Sequence, residues 1–268
     1  MVATVERTIT RDQARRFLVR RQLLDPPRAL SARAESVLRV IERLGLLQFD
    51  PLEVPGARSH DLVLHARIRG FRREWCDRWL YGPPATRRLF EAYNKSLNIL
   101  PLAELPYYRL GWDRSRAYHE EHILAEQRRV ADAILARIER EGPLSTAAFT
   151  EHTGSIDWWW APTRLARAVL EALFTAGIVG IARRDGNRRY YDLVERLFPE
   201  DLLARRVSPE EALRHRLVSR FRAVGLLSPR AQNDVLARTG TPAERAASLA
   251  ALVADGTLVE VAIDGVAG

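Results

Sequence analysis

The segment Gln48-Phe49-Asp50 carries the residue types with the clearest chemical use. The β-rich stretch 46–50 follows a glycine and predicts a strand. Side chains alternate between the faces of a strand, so Gln48 and Asp50 share one face while Phe49 points into the core. A carboxylate beside an amide can hold a water molecule, with Asp50 accepting its proton and Gln48 orienting its oxygen. An Asp before Pro51 is also a common turn starter, and composition alone favours that structural interpretation.

A second candidate for chemistry is Lys95, the only lysine of the chain. Lysine amines form Schiff bases, so Lys95 could attack an abasic site, but a phosphate contact or a helix cap is the favoured interpretation. His119 and His122 are three residues apart, which does not match the His-Glu-x-x-His zinc pattern, and no metal site is predicted. The sequence has no nucleotide-binding fingerprint, and we expect no cofactor. Cys76 is the only cysteine, which excludes an internal disulfide.

Several local signals predict the elements that hold these residues. Thr10-Arg11-Asp12-Gln13 is a capping box that opens a helix to about Arg21. Ser31 is expected to open a second helix that ends at Gly45. After Pro51 the sequence predicts helices with many loops to about residue 122.

The chain also repeats itself. Gly-Pro-Leu-Ser at 142–145 returns as Gly-Leu-Leu-Ser at 225–228. Six further landmarks recur at a constant offset of 79 residues, and two copies of one supersecondary unit are therefore predicted. The matching pairs are Leu170 and Leu249, Ala172 and Ala251, Leu173 and Leu252, Gly177 and Gly256, Asp185 and Asp264, and Gly186 and Gly265.

Each copy is expected to form a helix, a short helix, a long helix and a hairpin, the winged-helix arrangement. In the first copy these elements include a short helix at 145–153, a helix at 164–176 after Pro162, and a hairpin whose turn is Asp185-Gly186. The second copy starts near Ser208 and stops three residues after Asp264-Gly265. That position predicts a fragment or an unpaired edge strand.

The N-terminal part resembles a divergent third copy. The fold expected is therefore mainly α with small β-hairpins, arranged as tandem winged-helix domains. The predicted domains are 1–122, which carries the catalytic residues, 123–205 with an arginine-rich wing, and 206–268 with a truncated wing.

The net charge of the chain indicates the class of its binding partner. The formal net charge is +8, the sequence pI is about 10.3, and all but one of the 42 basic side chains are arginine. Such a chain favours a polyanionic partner, and guanidinium groups bind phosphates with two hydrogen bonds. The sequence lacks a long apolar stretch and a secretory signal, so we expect no membrane contact and a cytoplasmic, nucleoid-associated protein.

Two arginine-rich stretches are the predicted DNA contacts, although a solvated wing is the alternative interpretation. The wing and its helix supply Arg164, Arg167, Arg183, Arg184, Asn187, Arg188, Arg189 and Tyr190, and the stretch 58–73 supplies Arg67. Trp158-Trp159-Trp160 could stack on bases, but packing between neighbouring units is the favoured interpretation.

Four segments together resemble the winged-helix DNA glycosylases of the AlkZ/YcaQ type: "LLQFDPLEV", "RSHDLVLHARI", "RRLFEAYNKSLNILPLAELPYYR" and "GNRRYYDLVERLFP". The resemblance spans about residues 8–268. It implies tandem winged-helix units around a concave DNA-binding face, and excision of alkylated purines such as N7-alkylguanine, with unhooking of interstrand cross-links. The family motif Gln–hydrophobic–Asp falls on Gln48-Phe49-Asp50, and its Arg-x-His stretch falls on Arg58 and His60. These two residues are expected to contact DNA or the lesion, and a structural role for His60 is an equally weighted alternative. Family members continue beyond the last residue of this chain.

The function expected is a DNA glycosylase that acts as a monomer on double-stranded DNA carrying alkylated bases. Two other classes stay open at this point. A winged-helix transcription regulator would bind selected sequences without base release, and an architectural protein would bind undamaged DNA with a steep salt dependence.

Overall fold

A computed structural model describes residues 7–50, 56–158, 161–229, 231 and 235–266. Pro51 and the pair Trp159-Trp160 lie outside the described residues. The helices are α1 (Arg11–Arg21), α2 (Glu35–Leu44), α3 (Ser59–His65), α4 (Arg73–Tyr81), α5 (Leu105–Glu121), α6 (Ile123–Glu126), α7 (Arg128–Glu141), α8 (Leu165–Thr175), α9 (Val194–Leu197), α10 (Glu200–Ala204), α11 (Pro209–Val224) and α12 (Pro242–Ala254). The strands are β1 (Arg7–Ile9), β2 (Leu47–Gln48), β3 (Leu89–Tyr93), β4 (Leu97–Pro101), β5 (Leu144–Ser145), β6 (Ser155–Ile156), β7 (Thr163–Arg164), β8 (Val179–Asp185), β9 (Arg188–Leu193) and β10 (Val261–Ile263).

The fold is mainly helical with small sheets, which confirms the coarse prediction. The described chain divides into two compact units. The first comprises 7–46, 62–71 and the described part of 207–266, and the second comprises the described parts of 47–61 and 72–206. These boundaries differ from those of the three predicted domains, whose division stays a prediction. None of the described helices is long and apolar enough to cross a bilayer.

The first unit confirms two predicted helix boundaries and corrects a third. The Thr10 hydroxyl accepts from the backbone N–H of Gln13, whose side chain accepts from the Thr10 N–H, so the capping box is present. Gly45 ends α2 with a φ of 81°, a left-handed conformation that glycine adopts without strain. The second helix begins at Glu35 rather than at Ser31, because Ser31 forms a turn in which its carbonyl accepts from the Ser36 hydroxyl.

The C-terminal strand of the first unit has a partner. β10 pairs with β1 in parallel, with Thr8 opposite Ala262. The expectation of an unpaired edge strand at the C-terminus is therefore wrong for the edge of β10 that pairs with β1. The partner was missed because it lies at the other end of the chain and not in a hairpin.

The second unit contains two three-stranded sheets, one in the order β2-β4-β3 and one in the order β5-β9-β8. The hairpin β3–β4 corrects the prediction of helices and loops between Pro51 and residue 122. Phe90 on β3 is fully buried and lies edge-on to the rings of Tyr108 and Phe198, with centroids 5.8 and 5.9 Å away. The site-bearing strand β2 is thus anchored in the core of this unit.

The first sequence repeat forms α7, β5, a short 3-10 turn at Thr146–Ala148, the pair β6–β7, α8, and the hairpin β8–β9. The hairpin turn at Asp185-Gly186 is confirmed, with Gly186 at a φ of 55°. The predicted helix at 145–153 is wrong, since Ser145 lies on β5 and makes no side-chain cap. The long helix begins at Leu165 rather than directly after Pro162, because Thr163 and Arg164 pair with β6.

Candidate active site

The predicted catalytic segment lies on and just after β2. Gln48 stands opposite Asn98 of β4, and the Phe49 N–H donates to the Leu97 carbonyl at 2.8 Å. The strand itself ends at Gln48, so the predicted strand over 46–50 is too long. Gln48 is exposed, Phe49 is buried at 3% and Asp50 is half-buried. Accessibility along the motif alternates, with the two polar side chains reaching solvent on either side of a buried ring.

The Phe49 ring contacts one imidazole and two guanidinium groups. The His60 ring stacks on it, with centroids 4.9 Å apart and planes inclined by 27°. The Arg184 guanidinium carbon lies 4.0 Å from the ring centroid, and that of Arg58 lies at 5.4 Å. Stacking and cation–π contacts restrict the ring. Because Phe49 is bonded to both motif residues, a fixed ring also restricts where Gln48 and Asp50 can point.

His60 and Asp61 form the layer behind Phe49. His60 is 1% exposed, and its Nε2 lies 3.6 Å from an oxygen of Asp61. Burial lowers the pKa of His60 to about 4, although the Asp61 charge acts in the opposite direction. The imidazole is therefore neutral at pH 7. Asp61 accepts from the Arg73 Nε at 2.9 Å and from the Arg58 N–H at 3.2 Å, which fixes the start of α3.

Arg58 connects this layer to the β8–β9 hairpin. Its side chain is buried, and its Nη2 donates to the carbonyl of Gly186 at 2.8 Å. Gly186 forms the turn between β8 and β9. The hairpin turn and the catalytic segment are therefore joined by one guanidinium within the second unit. The burial of Arg58 and His60 does not favour the direct DNA contact predicted for them, which stays a prediction.

A buried ion pair also contacts the Phe49 ring. Arg184 donates to both oxygens of Glu91, at 2.8 and 2.6 Å, and the two side chains are 3% and 0% exposed. The Tyr81 hydroxyl donates to the same carboxylate at 2.5 Å, and burial together with the Glu91 charge raises the pKa of that hydroxyl well above its usual value. This geometry satisfies both charges without solvent. Arg184 is therefore paired inside the protein and does not lie on the open surface that DNA contact requires.

Three residues of this site were not predicted from the sequence: Glu91, Tyr81 and Arg87. Arg87 is buried and donates to the carbonyls of Ile181 and Ala182 at 3.1 Å, which attaches β8 to the segment before β3. One signal could have found Glu91. It is the only charge in the apolar run 89–93, and a carboxylate there predicts a buried cationic partner.

The accessible part of the predicted DNA contacts lies on β7, α8 and the β8–β9 hairpin. Five of these side chains are exposed: Arg164, Arg167, Arg183, Asn187 and Arg188. The Arg183 guanidinium lies 3.4 Å from the centroid of the half-buried Tyr190 ring. Arg189 points inward instead, with its Nη2 donating to the Tyr93 hydroxyl at 3.4 Å and a longer ion pair to Glu171 at 3.8 Å.

The remaining predicted residues lie elsewhere. Lys95 is exposed in the turn between β3 and β4. Arg67 belongs to the first unit, is 8% exposed, and donates to the carbonyls of Gln22 and Val63 at 2.8 and 2.9 Å. The Trp158 indole donates to Glu171 at 2.8 Å, which agrees with a packing role for that tryptophan.

This arrangement places an accessible carboxylate and amide beside a rigid, water-poor interior. A carboxylate can accept a proton from water or stabilise a developing positive charge, and an amide can orient the water. These two groups can therefore promote hydrolysis of a bond to a carbon atom that develops positive charge.

Comparisons with known proteins agree with this chemistry. A family model described as DNA glycosylase AlkZ-like matches residues 41–268, which include the complete catalytic segment. Among solved structures, the chain is similar to the Streptomyces sahachiroi DNA glycosylase AlkZ. The TM-score is 0.59 and the sequence identity is 16%, over 97% of this chain and 69% of that chain. At this identity the structural likeness shows a shared fold.

Proposed function

This chain belongs to the AlkZ-like DNA glycosylase family, and from that premise we propose that it removes alkylated purines, chiefly N7-alkylguanine, from duplex DNA. The general activity, a DNA glycosylase of DNA repair, comes with the family. The choice of lesion and the roles of individual residues are our proposal.

The chemistry of the lesion matches the small catalytic set. Alkylation at N7 makes guanine cationic, so the base leaves as a neutral species and needs little help from an acid. The C1′–N9 bond breaks through an oxocarbenium-like state, as in glycoside hydrolysis. Water then forms the new C1′–O bond, and its proton passes to a base. Water is the only co-substrate of this reaction.

Asp50 is the proposed base and electrostatic partner of the sugar, and Gln48 orients the water. The observation that carries the proposal is the alternating exposure of Gln48, Phe49 and Asp50, with the ring buried and both polar side chains accessible. Arg184 and His60 act on this set through Phe49, as positioning residues. Such preorganisation is worth most where the catalytic groups would otherwise rotate freely.

The accessibility of the motif also bears on lesion size. Gln48 is exposed and Asp50 is half-buried, so neither lies at the bottom of a closed cavity. A base tethered to the opposite strand cannot enter a tight pocket, whereas it can reach an open surface. We therefore include interstrand cross-links among the proposed substrates.

We further infer that residues 128–193 form a winged-helix unit with β8–β9 as its wing. The order of α7, a short turn, α8 and a hairpin supports this assignment. The exposed guanidinium groups of Arg183 and Arg188 flank the tip and would bind phosphates of the duplex. We propose that the protein engages duplex DNA as a monomer through this wing.

The test is base release from a duplex that carries a single N7-methylguanine. The expected result is free N7-methylguanine and an abasic strand that breaks on alkaline heating, with no release from the undamaged duplex. Retention of one duplex sequence without release of any base would instead support a regulator. A cross-linked duplex in the same assay reports on the larger substrate.

A further inference from the structure

The first unit contains a groove that the excision chemistry does not use. A cavity of about 970 Å³ opens between β1, α1, α2, α11 and the last strand. Among the described residues, its lining includes one carboxylate, Glu42, and five arginines, Arg7, Arg21, Arg39, Arg43 and Arg222. The apolar part of the lining includes Val218, Phe221 and Leu258.

Most of these arginines lack an ionic partner in the described part of the chain. Among the described residues, no carboxylate lies within ion-pair distance of Arg7, Arg39, Arg43 or Arg222. The Arg21 guanidinium donates to the backbone carbonyl of Arg222 at 2.8 Å, which attaches α1 to α11. Burial, followed by the charges of Arg43 and Arg222, lowers the pKa of Arg21. A groove with this much unmatched positive charge favours an anionic ligand.

The apolar part of the groove indicates which anion fits. Phe17 on α1 lines the groove and is 45% exposed, which is unusual for a large aromatic side chain. Val259 at the opposite end is 55% exposed. An exposed aromatic ring beside arginines is the combination that binds unpaired bases, because the ring stacks on the base while the guanidinium groups bind the phosphates. The volume is that of a site for a small ligand or a short strand, and a duplex would stay outside it.

We propose that this groove binds a short segment of single-stranded nucleic acid, with phosphates on Arg39, Arg43 and Arg222 and a base stacked on Phe17. The site takes no part in cleaving the glycosidic bond. Its ligand is defined by two features, a phosphodiester chain and an accessible base face.

The experiment measures binding of the full chain to a fluorescein-labelled decathymidine and to an undamaged blunt duplex, by anisotropy over a range of salt concentrations. The test variant is Arg39→Ala/Arg43→Ala. The matched control is Arg15→Ala/Arg33→Ala, which removes the same charge from exposed positions of the first unit outside the groove. We expect the slope of log K against log salt for the single strand to fall by about 1.4, since each phosphate contact contributes about 0.7. The control should leave that slope unchanged.

Phe17 separates a nucleic acid from any other anion. Phe17→Ala should weaken decathymidine binding by about fivefold or more, which corresponds to the lower limit of about 1 kcal/mol for one stacked base, and should leave duplex binding within twofold. If both ligands weaken equally, or if the control variant weakens single-strand binding as much as the test variant, the proposal is wrong. Displacement of decathymidine only by polyglutamate and not by unlabelled oligonucleotide would also overturn it, since the groove would then be a peptide site. These measurements use undamaged DNA, so their outcome is independent of whether N7-methylguanine is excised.

Discussion

The arginines around Phe49 and those of the groove lined by Phe17 perform different tasks with the same side chain. In the second unit, Arg184 is buried and its charge is matched by Glu91. In the first unit, Arg39 and Arg43 line a cavity in which Glu42 is the one carboxylate among the described lining residues. A matched, dry arginine fixes the positions of its neighbours, whereas an unmatched arginine at the surface is free to take a ligand. The location of the carboxylates therefore decides which arginines build the active site and which bind an anion.

The largest effect is expected for Asp50→Asn, which should reduce base release by the second unit and leave DNA binding unchanged. Without the carboxylate, release of N7-methylguanine should fall by about 10²- to 10⁴-fold, the usual contribution of a general base. Binding of duplex and of single strand should stay within about twofold. Single-turnover base release and anisotropy on the same preparation measure both. Asp157→Asn, which removes another exposed carboxylate of the second unit, is the control. Normal release by the Asp50 variant would exclude Asp50 from the mechanism.

Glu91→Gln converts the matched arginine of the second unit into an unmatched one. Removing one partner of a buried pair leaves an uncompensated charge, so the free energy of unfolding should fall by about 3–5 kcal/mol. Urea denaturation followed by circular dichroism measures this change. Glu151→Gln is the comparison, because Glu151 is half-exposed in a 3.5 Å pair with Arg137 and should cost less than about 1 kcal/mol. Equal losses in the two variants would show that the Glu91–Arg184 pair stabilises the fold no more than the exposed pair does.

His60 gives the second unit a stability that depends on pH. Its pKa is lowered to about 4 in the folded protein by burial, with opposing effects of Asp61 and Glu91 and further lowering by Arg58 and Arg73. The unfolded chain binds the proton near pH 6.5, so the stabilising effect of the neutral ring is complete above that value. It is lost as the pH falls from about 6.5 to 4, by up to about 3 kcal/mol at 1.36 kcal/mol per unit. Urea denaturation at pH 7 and pH 4.5 should show this slope in the native chain and a weaker one in His60→Gln. Identical slopes would exclude His60 as the source.

The exposed arginines of the hairpin should behave like those of the groove but with a different ligand. Arg188→Ala should reduce the salt slope of duplex binding by about one, as expected for a single phosphate contact. Decathymidine binding should not change. Arg114→Ala, an exposed arginine on α5, serves as the control. A loss confined to the single strand would reverse the assignment of the two regions.

The smallest effect is expected for Arg43→Gln. Because no carboxylate among the described residues pairs with Arg43, and its neighbour Arg21 is also cationic, the free energy of unfolding should stay within about 0.5 kcal/mol or rise. The contrast with Glu91→Gln is the sharpest measure of the difference between the two regions. A loss of more than about 2 kcal/mol would mean that Arg43 is a structural residue.

Local patterns in the sequence predict much of this molecule. The capping box at Thr10, the glycine at the end of α2, the turn at Asp185-Gly186 and the alternation within Gln48-Phe49-Asp50 each depend on neighbouring residues alone. The hairpin β3–β4 was missed because its turn, Asn94-Lys95-Ser96, lacks the glycine that marks such turns.

Features set by distant parts of the chain could not be predicted in the same way. Arg184 and Glu91 are 93 residues apart, and no periodicity relates them. The number of charges in the β8–β9 hairpin therefore predicts the same role for Arg184 and Arg188. In the structure, Arg184 is buried with a partner and Arg188 is exposed. The partner of the C-terminal strand is at the opposite end of the chain, so its pairing has no local signal.

The pairing of β1 with the C-terminal strand has a consequence for synthesis on the ribosome. Residues 7–9 leave the exit tunnel early, but their hydrogen-bonding partner at 261–263 is translated only after the whole of the second unit. Since domains generally fold as units while they emerge, the second unit can reach its native state first, and the first unit can close only when translation is nearly complete. A nascent chain whose first 206 residues have left the tunnel should already hold the Phe49 ring in place while α1 and α2 still lack their C-terminal partners.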